Sequence, residues 1–273
     1  MTPRPARLLK GKETPFDECA VPSTLALSDS WAIATSSGIG EATAKALASR
    51  GARVALLARR KDKLEALNDA IRKAGGQSAV WQIDVTDRQA VERTAAEVVA
   101  KFGRVDIVVN NAGVMLPNPI ETKRLEQWQQ QIDLNISGLM NVIGAFTEAL
   151  LKAGAGTGPA DLVNISSIAA KNIFPNFAVY SGTKAFVTHL SVHLRAELGS
   201  KGVRVTAVEP GIVGTELQDH VDFQGAIDWL EGSKSQLEWL KPEDVAEAIA
   251  FTVSLPKRVN LQQITIMPTA QPS

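Results

Sequence analysis

Cysteine is all but missing from this chain of 273 residues: Cys19 stands alone. No internal disulfide is available, so the fold does not depend on an oxidising compartment. Net charge is missing too, because 29 basic residues offset 29 acidic ones. That balance gives no reason to expect nucleic acid or an anionic membrane as a partner. Long apolar runs are also lacking, and none is expected to approach the roughly 20 residues that span a bilayer. The first residues carry Arg4, Arg7, Lys10 and Lys12 without an apolar signal stretch, and Glu13, Asp17 and Glu18 soon follow. The expectation is a cytoplasmic protein with no membrane partner. Tyrosine occurs once, at Tyr180, so a phenol that does chemistry has one position to come from.

What is present is ordinary for a globular chain: 45% hydrophobic and 21% charged residues, in a length that suits one large domain. From Trp31 onward, short apolar β-branched runs alternate with helical patterns. Strands are expected at Trp31–Thr35, Arg53–Ala58, Ala79–Ile83, Asp106–Asn110, Asp161–Ile165, Val203–Val208 and Gln263–Met267. Most are continuous rather than alternating, as parallel strands buried on both faces should be. Helices are expected at Glu41–Arg50, Lys61–Ala74 and Arg88–Phe102, with Asp87 as a cap, Gly75 and Gly76 as a stop and Pro242 in a first turn. This order predicts an α/β fold: a Rossmann-like, doubly wound parallel sheet in three α/β/α layers, forming a single domain over residues 31–273. Residues 1–30 read as an irregular N-terminal arm.

Two ends of a site can be read along the chain. Thr35-Ser36-Ser37-Gly38-Ile39-Gly40 lies between the first strand and its helix, where Gly38 and Gly40 would let a phosphate approach backbone N–H groups. A plain tight turn is the alternative. The second strand ends in Arg59-Arg60 rather than an acid; arginine suits the 2′-phosphate of NADP, whereas an acid would bind the ribose hydroxyl of NAD. Asp84 and Val85 close the third strand, beside an adenine in such folds, and Asn110-Asn111-Ala112-Gly113 closes the fourth.

At the other end, Tyr180 and Lys184 stand at i and i+4, on one helix face. A phenol titrates near 10, and a nearby ammonium is expected to draw that value down toward neutrality. Ser167 closes a strand thirteen residues before Tyr180, and Pro210-Gly211-Ile212-Val213 with Thr215 follows the next strand.

With these motifs in this order, the chain from about Trp31 to Gln271 resembles the classical short-chain dehydrogenases/reductases. The resemblance implies hydride transfer between a nicotinamide cofactor and a small carbonyl or secondary alcohol. It makes Tyr180 the acid–base and Lys184 the group that lowers its pKa and binds the nicotinamide ribose. Ser167 would orient the carbonyl, and Asn135 would hold a water in a proton relay to Lys184. Carried over onto cofactor contacts are Ser37, Gly38, Ile39, Gly40, Arg59, Arg60, Asp84, Val85, Asn111, Ala112, Gly113, Pro210, Gly211, Ile212, Val213 and Thr215. Within the family, Ala58-Arg59-Arg60 and the ending Ile264–Gln271 resemble an NADP-linked branch that includes clavulanate dehydrogenase-like and 3-hydroxy acid dehydrogenase-like reductases. NADP is therefore expected over NAD. The family's interface helices match the apolar segment Ile136–Leu151 and the helix of Tyr180, implying a homodimer or homotetramer.

The chain departs from the family at the phosphate turn. The usual first glycine position holds Ala34 or, if Thr35 is the family threonine, a glycine and one neighbour are absent. A Cβ where positive φ is needed introduces strain. Residues 13–30 also separate Leu8–Lys12 from the first strand, as an insertion or a splicing artefact would. A second function follows: a catalytically weak member with a damaged turn, acting as a binding or oligomer-interaction protein. His189 and His193, at helical spacing, read as surface residues rather than a metal site, and no metal is expected. Residues 216–239, with Phe223, Trp229 and Trp239, suggest a lid, and Ile173, Phe174 and Phe177 a partly apolar pocket.

Overall fold

The chain alternates strand and helix because each strand's side chains feed two separate cores. Successive residues of a strand point to opposite faces. Val54 and Leu56 therefore join one apolar cluster, while Ala55 and Leu57 join the other. Ile107 and Val109 divide from Val108 in the same way. A strand that serves both faces must be apolar throughout, which is why these runs do not alternate.

The computed structural model describes residue 27, residues 30–34 and residues 37–272. Most of the arm expected over 1–30, and residues 35 and 36 of the phosphate turn, lie outside the described residues. The strands are β1 (Trp31–Ala34), β2 (Arg53–Ala58), β3 (Gln77–Gln82), β4 (Ile107–Asn110), β5 (Ala160–Ile165), β6 (Val203–Pro210) and β7 (Gln263–Ile266). They form one seven-stranded sheet in the order β3-β2-β1-β4-β5-β6-β7. All pairings are parallel.

The longer helices are α1 (Gly38–Ser49), α2 (Lys61–Lys73), α3 (Arg88–Phe102), α4 (Leu125–Ile132), α5 (Leu139–Gly154), α6 (Ala178–Leu198), α7 (Gln224–Gln236) and α8 (Pro242–Ser254). Apolar residues of α1, α2 and α8 form the core on one face of the sheet, and those of α3, α5 and α6 the core on the other. The fold is thus a single Rossmann-like three-layer α/β/α domain.

The predicted boundaries are set by local chemistry. Asp87 accepts the Ala90 N–H at 3.0 Å, satisfying a free donor in the first turn of α3. Beyond α2, Gly75 adopts φ +85°, which glycine alone takes up without strain. Asp244 in the first turn of α8 accepts the Lys241 N–H at 2.7 Å. Strand β3 begins earlier than its apolar content suggests, because Gln77 and Ser78 pair with Arg53 and Val54 through backbone alone. The described end of the arm is tied down: Leu27 is buried in the α1–α8 core and its N–H donates to the Arg50 carbonyl at 2.7 Å.

Two expectations change. The helix expected at Ile136–Leu151 does not start cleanly: α4 runs into a π-helical turn over Asp133–Gly138 and on into α5. The resulting stretch, Leu125–Gly154, reaches the length and mean hydropathy of a membrane span, with 44% of its most apolar window buried against the rest of the protein. The expected lack of such a stretch is corrected by that continuity, although a core helix of a folded domain meets the same test.

Candidate active site

Parallel connections run to opposite sides of β1 and β4, which lie next to each other in the sheet. That reversal opens a crevice at the C-terminal strand ends, where folds of this kind bind ligands. A cavity of about 310 Å³ occupies it. Ser37, Gly38 and Ile39 of the α1 N-terminus line the cavity, as do Arg59 and Arg60 after β2 and Asp84 and Val85 after β3. Asn111, Ala112 and Gly113 line it after β4, and Pro210–Val213 with Thr215 after β6. Ser167, Tyr180 and Lys184 line its far end. Gly40 does not line it, being buried within α1. Asn135 is also buried, one layer behind the wall.

The cradle at α1 fits a nucleotide phosphate. Gly38 has φ +53°, and a Cβ there would stand 3.1 Å from Thr215 Cγ2. Because Gly38 carries no side chain, a phosphate can approach the backbone of that helix start closely. Arg59 and Arg60 supply positive charge at the same end. Arg59 lies 3.9 Å from the Asp84 carboxylate, and Arg60 donates to Glu216 Oε2 at 2.6 Å.

The far end is largely buried. Tyr180 and Lys184, one turn apart on α6, are each only 6% exposed. Tyr180 and Ser167 share a hydrogen bond. Lys184 Nζ donates to the Ile165 carbonyl at 2.9 Å and lies 5.7 Å from the Tyr180 ring centroid. The expected lowering of the phenol pKa does not appear here. Burial pushes Tyr180 up to about 12, against the opposing pull of the Ser167 hydrogen bond. Burial also pushes Lys184 down to about 8. Desolvation penalises both charged forms, and it outweighs the attraction between them.

Asn135 sits in the π-helical turn and works through backbone. Its Oδ1 accepts the Val114 N–H at 2.8 Å, and its Nδ2 donates to the Val114 carbonyl at 2.9 Å and to Thr183 Oγ1 at 3.0 Å. It thereby joins the loop after β4 to the helix of Tyr180. Gly113 is packed between Asn135 and Lys184: a Cβ there would meet Asn135 Oδ1 at 3.3 Å and Lys184 Nζ at 3.6 Å.

Phe174, Phe177 and Trp229 line the apolar end of the cavity, with ring centroids 5.8 to 6.0 Å apart. The lid segment becomes α7, which brings Trp229 and Leu230 to the site. Phe223 and Trp239 pack behind that cluster, not in the cavity wall. Ile173 is 94% exposed and is no part of the pocket, because its loop turns outward before the left-handed Asn176. His189 and His193 are exposed on α6 with Nε2 atoms 3.2 Å apart. Among the described residues no group of three or more His, Cys, Asp or Glu is placed to hold a metal.

Four residues that sequence reading passed over shape the site. Gln271 accepts the Ile212 N–H at 3.1 Å, drawing the C-terminal segment over the cavity. Lys63 and Glu216 meet at the phosphate end, at 2.7 Å. Glu209, fully buried beside the site, accepts from Lys171, Thr188, Gln263 and Thr265 at 2.8 to 3.1 Å. Glu209 left a trace in sequence, as an acid inside a valine-rich strand.

The sequence pattern of the short chain dehydrogenases matches residues 32–224. The chain is 38% identical over 239 residues to sulfoacetaldehyde reductase 2 of Chromohalobacter salexigens, covering 86% of this chain and 92% of that protein. It is 38% identical over 238 residues to a glycine betaine reductase of Emericella nidulans, where the match takes in 87% of this chain but 18% of that much longer protein. Among solved structures it superposes on a closed serine dehydrogenase complexed with NADP+ with a TM-score of 0.81 at 32% identity, covering 89% of this chain and 96% of that one. An alcohol dehydrogenase of Thermococcus sibiricus complexed with 5-hydroxy-NADP gives a TM-score of 0.79 at 28% identity, with coverages of 89% and 98%.

Proposed function

The chain belongs to the short-chain dehydrogenase family of oxidoreductases, and from that premise we propose that it is an NADP(H)-dependent carbonyl reductase or alcohol dehydrogenase with Tyr180 as its acid–base. The observation that carries the reading is the meeting of buried Tyr180 and Lys184 with half-buried Ser167 in one wall of the cavity whose other end is the Gly38 cradle. The NADP complexes of the similar solved structures support the choice of cofactor.

In this reading Ser37, Gly38 and Ile39 hold the pyrophosphate, with Gly40 letting α1 start close behind them, Arg59 and Arg60 hold the 2′-phosphate, and Asp84 and Val85 flank the adenine. Asn111–Gly113 and Pro210–Thr215 border the rest of the dinucleotide, with Tyr180 and Lys184 at the nicotinamide ribose. The dinucleotide supplies or accepts the hydride when bound. The chain's own residues handle the proton. Ser167 Oγ and Tyr180 Oη bind the substrate oxygen together, and in reduction Tyr180 Oη gives its proton as that oxygen gains charge. A phenol held near 12 is in its acid form at neutral pH, which suits the reductive direction. Asn135 fixes the loop against which Lys184 rests, while Phe174, Phe177 and Trp229 exclude bulk solvent from an apolar substrate group.

Met140 on α5 and Phe186 on α6 remain 41% and 37% exposed on one chain. They support a homodimer or homotetramer, which light scattering on the purified protein tests. The enzyme reading is tested by titrating the folded chain with NADPH and then measuring turnover over a panel of small aldehydes and ketones. Saturable NADPH binding with turnover is expected. Absence of NADPH binding by folded protein would overturn it in favour of the second function, a binding protein whose phosphate turn is altered at Ala34.

A further inference from the structure

Glu216 comes from the root of the segment that leads to α7, yet its carboxylate ends on the other side of the cleft. Oε2 accepts Arg60 Nη2 at 2.6 Å and Oε1 accepts Lys63 Nζ at 2.7 Å. The partners are separated by about 150 residues of chain, so this is a tertiary contact and no accident of local sequence. Two cations hold the carboxyl down to about 2, which keeps it charged at any physiological pH. Arg60 and Glu216 both line the cavity. Neighbouring Arg59 faces Asp84 at 3.9 Å, so both arginines already have an anion beside them.

We propose that Glu216 is a built-in surrogate for the 2′-phosphate, held by Arg60 and Lys63 until a phosphorylated nucleotide takes them over. Lys63 is then a further member of the phosphate site. Glu216 becomes a specificity-determining residue that sets how strongly the chain prefers a phosphorylated dinucleotide. The proposal rests on the NADP(H) reading above.

The contact is suited to exchange. Arg60, Lys63 and Glu216 side chains are 46, 43 and 39% exposed, and ion pairs in that setting are weak because water screens them. A phosphate monoester brings nearly two charges and three acceptor oxygens, and arginine's planar fork fits it in a two-pronged geometry. A carboxylate left beside that phosphate would repel it, so Glu216 must move away or weaken binding. It discriminates by opposing the phosphate, while a ligand without one leaves it in place. The same contact ties the root of the α7 segment, with Trp229 and Leu230, to the phosphate end.

Calorimetry on the full chain tests this with four probes: NADPH, NADH, adenosine 2′,5′-bisphosphate and adenosine 5′-monophosphate. For Glu216→Gln, NADPH and the bisphosphate are expected to bind about five- to tenfold tighter, with NADH and the monophosphate changed by less than about twofold. Lys63→Met is expected to weaken only the two phosphate-bearing probes, by a similar factor. Circular dichroism and melting temperature establish that each variant is folded; Glu216→Ala serves as a second replacement. Equal changes for NADPH and NADH, no change, or weaker NADPH binding in Glu216→Gln would each overturn the surrogate role. If the unaltered chain shows no preference for NADPH over NADH and ignores the bisphosphate, the cofactor reading itself fails and the proposal falls with it.

Discussion

Asn135 holds both backbone polar groups of Val114: Oδ1 takes the N–H at 2.8 Å and Nδ2 gives to the carbonyl at 2.9 Å. A side-chain amide is the one small group that offers a donor and an acceptor in this arrangement. The loop after β4 is thereby paired as if to another strand. The π-helical turn supplies the extra residue that brings Asn135 to face it.

Replacing Asn135 by leucine is expected to destabilise the chain by about 2–4 kcal/mol, since buried partners at Val114 and Thr183 lose their hydrogen bonds. Urea denaturation measures this. A loss below about 0.5 kcal/mol would mean that the loop is held by other contacts.

Tyr180→Phe keeps the buried ring and removes the oxygen. Turnover is expected to fall by about 10²–10⁴-fold, with NADPH affinity and melting temperature nearly unchanged. Near-normal steady-state turnover in the variant would end the acid–base assignment. In the unaltered protein, carbonyl reduction should be insensitive to Tyr180 ionisation at neutral pH. Alcohol oxidation, which needs phenolate, should rise with pH toward the value of about 12.

Lys184→Met is expected to stabilise the fold while disabling it. Burial lowers the Lys184 pKa to about 8, so folding disfavours the ammonium. Each unit of such a shift is worth about 1.4 kcal/mol, and the lost hydrogen bond to Ile165 returns about 1 kcal/mol. The net gain at pH 7 is about 2–3 kcal/mol. For a lysine with a depressed pKa the penalty is complete below pH 8. It fades as pH rises from there toward the unfolded value near 10.4. Melting curves at pH 7 and pH 10 check this: a variant advantage that grows with pH would contradict the sign.

Glu209→Ala leaves Lys171, Thr188, Gln263 and Thr265 without their shared acceptor. A loss of about 3–5 kcal/mol is expected by chemical denaturation, and less for Glu209→Gln, which keeps an acceptor oxygen. Equal losses for the two variants would show that charge, not acceptor count, holds the network.

The strands were legible because burial on both faces imposes one rule on every residue. Even so, β3 begins at Gln77, where backbone pairing at the sheet edge admits polar side chains. Tyr180, Lys184 and Ser167 were legible as a motif because a helix turn and a strand end fix their spacing. The ionisation of Tyr180 was not legible. A one-turn separation suggests an ammonium acting on a phenol, but burial, which only packing decides, dominates both groups. The outward turn of Ile173 and the π-helical turn at Asn135 likewise depend on neighbours distant in sequence.

The sequence by itself determined the order of strands and helices, the crevice they imply and the residue types gathered at its two ends. These follow from local rules: side-chain period, caps and glycine's backbone freedom. Only the tertiary structure decided which charges meet and how much water they keep. Glu216 reaches Arg60 and Lys63, Asn135 reaches Val114, and Tyr180 lies in a buried wall, because electrostatics depends on distance and solvent exposure in space. Neither quantity is written in the spacing of residues along the chain.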